Sequence, residues 1–366
     1  MSLVELFLEA VKIDAQSLRE RPMARFIHTA LSGLPVTIQE DGIAHAISGE
    51  CGNLICVPPW FNPSRPAIAL FAHMDTPRST VGVRPTLTES RITSDGTTIL
   101  GVDNRAGSSV LLHVLKERLQ SRSHGNFIVV FTVAEEIGMF GSKHIDLGPY
   151  DIRMGFVFDC SKRPGVFIQS AVGCSLYDAT FAGKAAHAGV APENGISAIQ
   201  IAAKAIGQIP MGRLSPTMTS NVGMIAGGTA TNVVADRCTI QGEVREFVPA
   251  LIDEHLVMLK TTFERVANGI GGRVEFESRM DFPPFSLSPD SEVFKTTVDV
   301  LQSVGLTPAP IRYLGGSDAN MLNDKGIPSI NLGIGAQNPH ANDEFILLED
   351  LHKSAEIANA LIERFP

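Results

Sequence analysis

Residues Ala67 to Asp75 read AIALFAHMD. The six-residue apolar run AIALFA has the length of a buried strand, and it ends directly on His73 and Asp75. The same construction recurs along the chain. Asn126 to Val133, NFIVVFTV, leads into Glu135 and Glu136. Gly155 to Phe158, GFVF, runs into Asp159, and Ser329 to Gly335, SINLGIG, runs towards His340. Between the first two runs, Ala106 to Gln120 places Val110, Leu111, Val114 and Leu115 at helical intervals. Strand, helix, strand at this spacing predicts an α/β domain with a mostly parallel or mixed sheet flanked by helices.

Working outward, the pattern changes near Gly173. CSLYDATFAGKAA alternates as a half-buried strand does, and Ile196 to Ile209 reads as a helix. TSNVGMIAGG and DRCTIQGEVREF are strand-like, Ala250 to Ile270 is a long helix, and RVEFESRM is a further strand. The order βαββαβ is that of a ferredoxin-like α+β unit. After Pro283 and Pro284, helix and strand segments resume and end in a helix from Glu349 to Arg364. The predicted organisation is a catalytic domain formed by residues 1–172 and 284–366, interrupted by an inserted lid or dimerisation domain at 173–283. At the N-terminus, Leu3 to Ala10 has helical spacing, and Ser17 to Glu20 fits an S-x-x-E capping box for a second helix.

Composition narrows the function. A chain of 366 residues suits two lobes, and 44% hydrophobic with 19% charged residues supports a sizeable core. The net charge of −9, from 30 basic and 39 acidic residues, argues against nucleic-acid binding, which needs Lys and Arg for phosphate contacts. The five cysteines (51, 56, 160, 174 and 238) are odd in number and form no C-x-x-C pair, which favours a reducing compartment. The first residues, MSLVELFLEAVKIDAQS, lack the basic n-region of a signal peptide, and no apolar run is long enough to span a bilayer. The expected location is the cytoplasm. Neither GxGxxG nor GxxxxGK[ST] occurs, so glycine-rich strings such as GMIAGGTATN are read as backbone turns near a substrate.

The chemistry lies in what ends each strand. The carboxyl ends of parallel strands share one edge of the sheet, and ligands bind there. Four segments deliver His, Asp or Glu to that edge, and GVDNRAG adds Asp103 just before a helix. Taken singly, each is an ordinary polar residue, a surface pair or a turn cap. Together, two imidazoles and three carboxylates exceed the three protein ligands of one catalytic zinc and suit two ions about 3.5 Å apart that share a carboxylate. Charge agrees: two divalent ions are balanced by Asp103, Glu136, Asp159 and one hydroxide.

The strings FAHMDTP, GVDNRAG, TVAEEIGMFGSK, FDCS, AAHAG and NPHANDEF resemble those of the dinuclear zinc hydrolases that include peptidase T, carboxypeptidase G, aminoacylase and succinyl-diaminopimelate desuccinylase. Order and spacing match over essentially the whole chain, and within the group the chain is most similar to the peptidase T branch of tripeptide aminopeptidases. The resemblance implies one metal on His73, Asp103 and Asp159 and another on Asp103, Glu136 and His340, zinc in the first instance, with cobalt or manganese as alternatives. It implies that Asp75 orients the ring of His73, that Glu135 is general base towards a metal-bridging water, and that His187 reaches the oxyanion across a homodimer formed by the inserted domain. Asn232, Arg245, Gly316 and Ser317 match substrate-lining positions. The expected activity is hydrolysis of an amide bond in short peptides. The alternatives are an N-acyl amino-acid amidohydrolase or a carboxypeptidase on the same site, and a non-catalytic binding protein on this scaffold. Two departures stand out. Asn104 follows the bridging acid where relatives often have Asp, with a cis Asp103–Asn104 bond expected, and Cys160 follows Asp159 where they have a small residue.

Overall fold

A computed structural model describes residues 1–122 and 124–366. The chain divides into two compact units, one made of Met1–Gln169, Ser286–Arg312 and Ser317–Pro366, the other of Ser170–Phe285 with Tyr313–Gly316.

In the first unit the strands Phe127–Thr132, Ala67–His73, Ile152–Cys160 and Ser329–Gly333 lie side by side in that order, all parallel. Leu54–Val57 and Thr37–Glu40 extend the sheet antiparallel on one side. On the other, Phe167 and Ile168 pair antiparallel with Leu332 and Asn331, so the sheet is mixed. Every residue of Ala67–His73 and Phe127–Thr132 is buried. Strands covered on both faces need continuous apolar sequence, which is why these runs do not alternate. The helix Val102–Ser121 covers the strand Ala67–His73 and packs on the C-terminal helix Leu348–Glu363. Its Val110, Leu111, Val114 and Leu115 share one core with Leu70, Phe131, Phe156, Phe158, Leu351 and Leu361. Each such side chain contributes about 1.5–3 kcal/mol by leaving water.

One local expectation is corrected. The capping box forms at Ser2 and Glu5, ahead of the helix Leu3–Ala10, and not at Ser17. The second helix starts at Arg21 with no side-chain cap. Ser17 donates instead to Asp75 at 2.6 Å, and Glu20 accepts from the backbone N–H groups of Leu18 and Ala134. Long-range partners therefore take both groups that a local cap would use, and Pro22 in the first turn sets the helix start.

In the second unit the sheet order is Gly212–Arg213, Thr219–Gly227, Arg237–Glu246, Gly173–Ala182, Arg273–Phe282, antiparallel throughout. Along Gly173–Ala182, Tyr177, Ala179 and Phe181 are buried and alternate with less buried neighbours. They form a core with Ile201 of the helix Ala198–Ile206 and with Leu259 and Phe263 of the helix Pro249–Ile270. This is the ferredoxin-like arrangement. Among the described residues no helix is long and apolar enough to cross a membrane.

Candidate metal centre

The parallel strands of the first unit place their carboxyl ends together. His73 is the last residue of its strand, and Asp159 is the next-to-last of Ile152–Cys160. Glu135 and Glu136 follow Phe127–Thr132 after a turn at Ala134, whose φ is +52°. His340 lies beyond Ser329–Gly333 at φ +67°. Asp103 sits where the backbone leaves helical geometry at the start of Val102–Ser121, and its bond to Asn104 is cis, as the resemblance implies.

The side chains meet. His73 Nε2 is 3.1 Å from Asp103 Oδ1 and 3.2 Å from Asp159 Oδ1. His340 Nε2 is 3.2 Å from Asp103 Oδ2 and 3.6 Å from Glu136 Oε1. Asp103 thus turns one oxygen to each imidazole. Among the described residues, three sets have ligand atoms within 4.8 Å of one another: His73, Asp103 and Asp159; Asp103, Glu136 and His340; and His73, Glu135 and Glu136.

Crowding acids out of water shifts their protonation. Burial, then the Asp103 charge, pushes Glu136 up to about 9. Burial holds Glu135 well above the carboxylate range, and burial with Asp103 raises Asp159. Burial opposes ionisation of Asp103, yet the imidazoles of His340 and His73 hold it below its ordinary value. The hydrogen bond to Asp103 lifts His340 to about 9. These directions describe an excess of negative charge that a cation relieves. Glu136 Oε1 is buried and has no hydrogen-bond partner. Imidazole nitrogens and carboxylate oxygens are the donors that zinc, cobalt and manganese accept. The residues present fit two divalent ions.

A surrounding layer fixes these groups. Asp75 is fully buried; its Oδ1 faces His73 Nδ1 at 3.3 Å and accepts from Glu135 N–H at 3.2 Å. Its Oδ2 accepts from Ser17 at 2.6 Å and from Glu136 N–H at 3.1 Å. One carboxylate therefore orients an imidazole and both glutamate backbones. Asn104 donates to Phe158 O at 2.8 Å and accepts from Gly107 N–H at 3.0 Å. The buried guanidinium of Arg105 donates to the carbonyls of Met74 and Ile13. Asp318 accepts from Thr132 and Ser142 at 2.6 Å each, at the two ends of the loop that carries Glu135 and Glu136. The roles of Asp318, Arg105, Glu20 and Glu344 escaped the sequence reading. Arg105 falls in the quoted string GVDNRAG, Glu20 in the predicted capping box and Glu344 in NPHANDEF, none of which shows what these residues grip. Cys160 is buried, and burial pushes its thiol up to about 12, which disfavours the reactive thiolate.

The remaining predicted residues divide between the two units. Ser317 is buried and caps the helix Asp318–Asp324 in the first unit, whereas Gly316 belongs to the second unit. His187, Asn232 and Arg245 are also in the second unit. His187 is exposed, and its Nδ1 accepts from Gly189 and Val190 N–H at 3.2 Å each. Asn232 is exposed, and its carbonyl accepts from Ala188 N–H at 2.9 Å. Arg245 is half-buried and paired with Glu243 at 2.9 Å and 3.0 Å.

Known proteins resemble this chain in sequence and fold. Bacillus subtilis YqjE is 35% identical over 99% of this chain and 97% of its own length. The crystal structure of the Bacillus cereus aminopeptidase PepT superposes with a TM-score of 0.85 at 33% identity, covering 99% of this chain and 97% of that one. A Staphylococcus aureus tripeptidase gives a TM-score of 0.89 at 32% identity with the same coverage. Residues 69–364, which contain every side chain of the acid and imidazole cluster, match one family model. The chain belongs to peptidase family M20/M25/M40.

Proposed function

We propose that this chain hydrolyses an amide bond in short peptides, as a tripeptide aminopeptidase does, with Glu135 as general base. The observation that carries the reading is Asp103, whose two oxygens face separate imidazoles while Glu135 stands beside the same cluster. The two structural neighbours above 30% identity, described as an aminopeptidase and a tripeptidase, support the substrate class. His73, Asp103 and Asp159 would hold one divalent ion and Asp103, Glu136 and His340 the other, zinc first and cobalt or manganese as substitutes. Such ions, when bound, supply Lewis acidity that polarises a carbonyl and brings the pKa of water towards neutrality.

The protein's own groups do the rest. Glu135 accepts a proton from the attacking water and returns it to the leaving nitrogen, so one carboxylate serves as base and then as acid. Glu135 is half-buried beside the cluster, and Asp75 fixes its backbone. In the same proposal, His187 of a second copy donates to the oxyanion, with two chains pairing through the inserted unit. Arg245, Asn232, Gly316 and Ser317 bind substrate; a substrate carboxylate at Arg245 would compete with Glu243. The five buried, unpaired cysteines accord with a cytoplasmic setting.

The test is Glu135→Ala assayed on tripeptides, dipeptides and N-acyl amino acids with added zinc, cobalt or manganese. Tripeptide cleavage falls 10²–10⁴-fold while bound metal is unchanged. Unaltered turnover removes Glu135 as the base, and preferential cleavage of N-acyl amino acids replaces the peptide reading with the amidohydrolase one. Full activity in a sedimenting monomer removes the cross-subunit role of His187.

A further inference from the structure

Two segments bring Asp103 and His340 to 3.2 Å, and neither is held there by regular secondary structure. Gly101 has φ +78°, and a Cβ at that position would press on the methyls of Thr80 and Thr76 at 3.3 Å and 3.4 Å. Asp103 lies outside helical geometry. His340 is half-exposed at φ +67°, a conformation that a non-glycine residue keeps only where neighbours enforce it. What joins the two segments is Glu344. It is 1% exposed, four residues after His340, and none of the metal sets includes it. Its Oε2 accepts from Gly101 N–H at 2.6 Å, and its Oε1 accepts from Asp103 N–H at 3.2 Å. No ion pair reaches it among the described residues; its hydrogen-bond partners are backbone N–H groups. A carboxylate buried without a cation is costly unless it is well hydrogen-bonded, and here its hydrogen bonds go to the segment that ends in Asp103. The His340 side has its own anchors: Arg78 donates to the His340 carbonyl at 3.1 Å, and Ser94 donates to the Asn342 carbonyl at 2.8 Å.

We propose that Glu344 is a positioning residue that sets the separation of Asp103 and His340 and thereby tunes the metal set Asp103, Glu136 and His340. The inference rests on the ligand assignment above. Glutamine at 344 keeps the volume but offers one acceptor, so one of the two N–H groups then faces an amide NH₂. The ligands stay in place with a looser spacing.

The experiment titrates chelator-stripped protein with zinc by calorimetry and with cobalt by visible absorption, for wild type, Glu344→Gln, Glu344→Ala and His340→Ala. The binding step that His340→Ala abolishes identifies the set. Glu344→Gln weakens that step 10–100-fold and alters its cobalt spectrum, while the other step changes no more than a few-fold. Equal weakening of both steps, or wild-type affinities in both, overturns the inference while leaving the ligand assignment standing. A wild-type protein that binds fewer than two ions removes the assignment itself. Should Glu344→Ala fail to fold, the isosteric Gln variant decides.

Discussion

Replacing Glu20 by Gln isolates a single buried charge. Glu20 is fully buried; its Oε1 accepts from Leu18 and Ala134 N–H at 2.9 Å each, and its Oε2 has no partner. Burial, reinforced by Asp75, pushes its pKa from 4.5 to about 7. The folded protein therefore binds this proton more tightly than the unfolded chain. The stabilising contribution is complete below pH 4.5 and is lost as pH rises through 7. That displacement corresponds to about 3 kcal/mol by pH 8, an upper figure because relaxation around the charge lowers it. Glutamine keeps the Oε1 acceptor and never ionises. Glu20→Gln is then as stable as wild type at pH 4.5 and about 2–3 kcal/mol more stable at pH 8. At about 2 °C per kcal/mol for a unit of this size, its melting point rises about 4–6 °C relative to wild type. Thermal unfolding of the chelator-stripped proteins from pH 4.5 to 8 reads the difference directly. Parallel curves across that range refute the reasoning.

Asp75→Asn leaves one acceptor for four surrounding donors, so zinc affinity drops 10–100-fold and kcat falls with it, as measured by metal titration beside steady-state kinetics. Asp318→Asn keeps only one of the two hydroxyl bonds that flank residues 133–141; stability declines by about 1–3 kcal/mol, and amide exchange across that loop accelerates in mass spectrometry. Gly107→Ala drives a Cβ into Phe158 O and Asn104 Oδ1. It costs at least about 3 kcal/mol in urea unfolding, because the backbone beneath Asp103 must shift; a variant as stable as wild type contradicts that packing.

The reach of sequence reading follows from which forces are local. The parallel strands were legible because double-sided burial demands unbroken apolar runs, and His73, Glu135 and Asp159 interrupt them where the sheet edge meets the site. The inserted unit was legible because Gly173–Ala182 alternates where Ala67–His73 does not. Ser17 and Glu20 misled because a four-residue spacing cannot reveal that Asp75 and Ala134, 58 and 114 residues away, compete for them. Asp318 reads as a helix first-turn acid, a favourable place by itself. Its grip on Thr132 and Ser142 spans 186 and 176 residues, which no spacing rule encodes.

Parallel pairing has a consequence for the order of assembly. His73 and Asp159 are 86 positions apart on parallel strands that cannot join through a tight turn, and Asp103 and His340 are 237 apart. The cation pocket therefore does not exist in any short fragment, and an ion cannot nucleate this fold as it does a zinc finger. Long loops must close first, which makes refolding slow and places metal capture at its end.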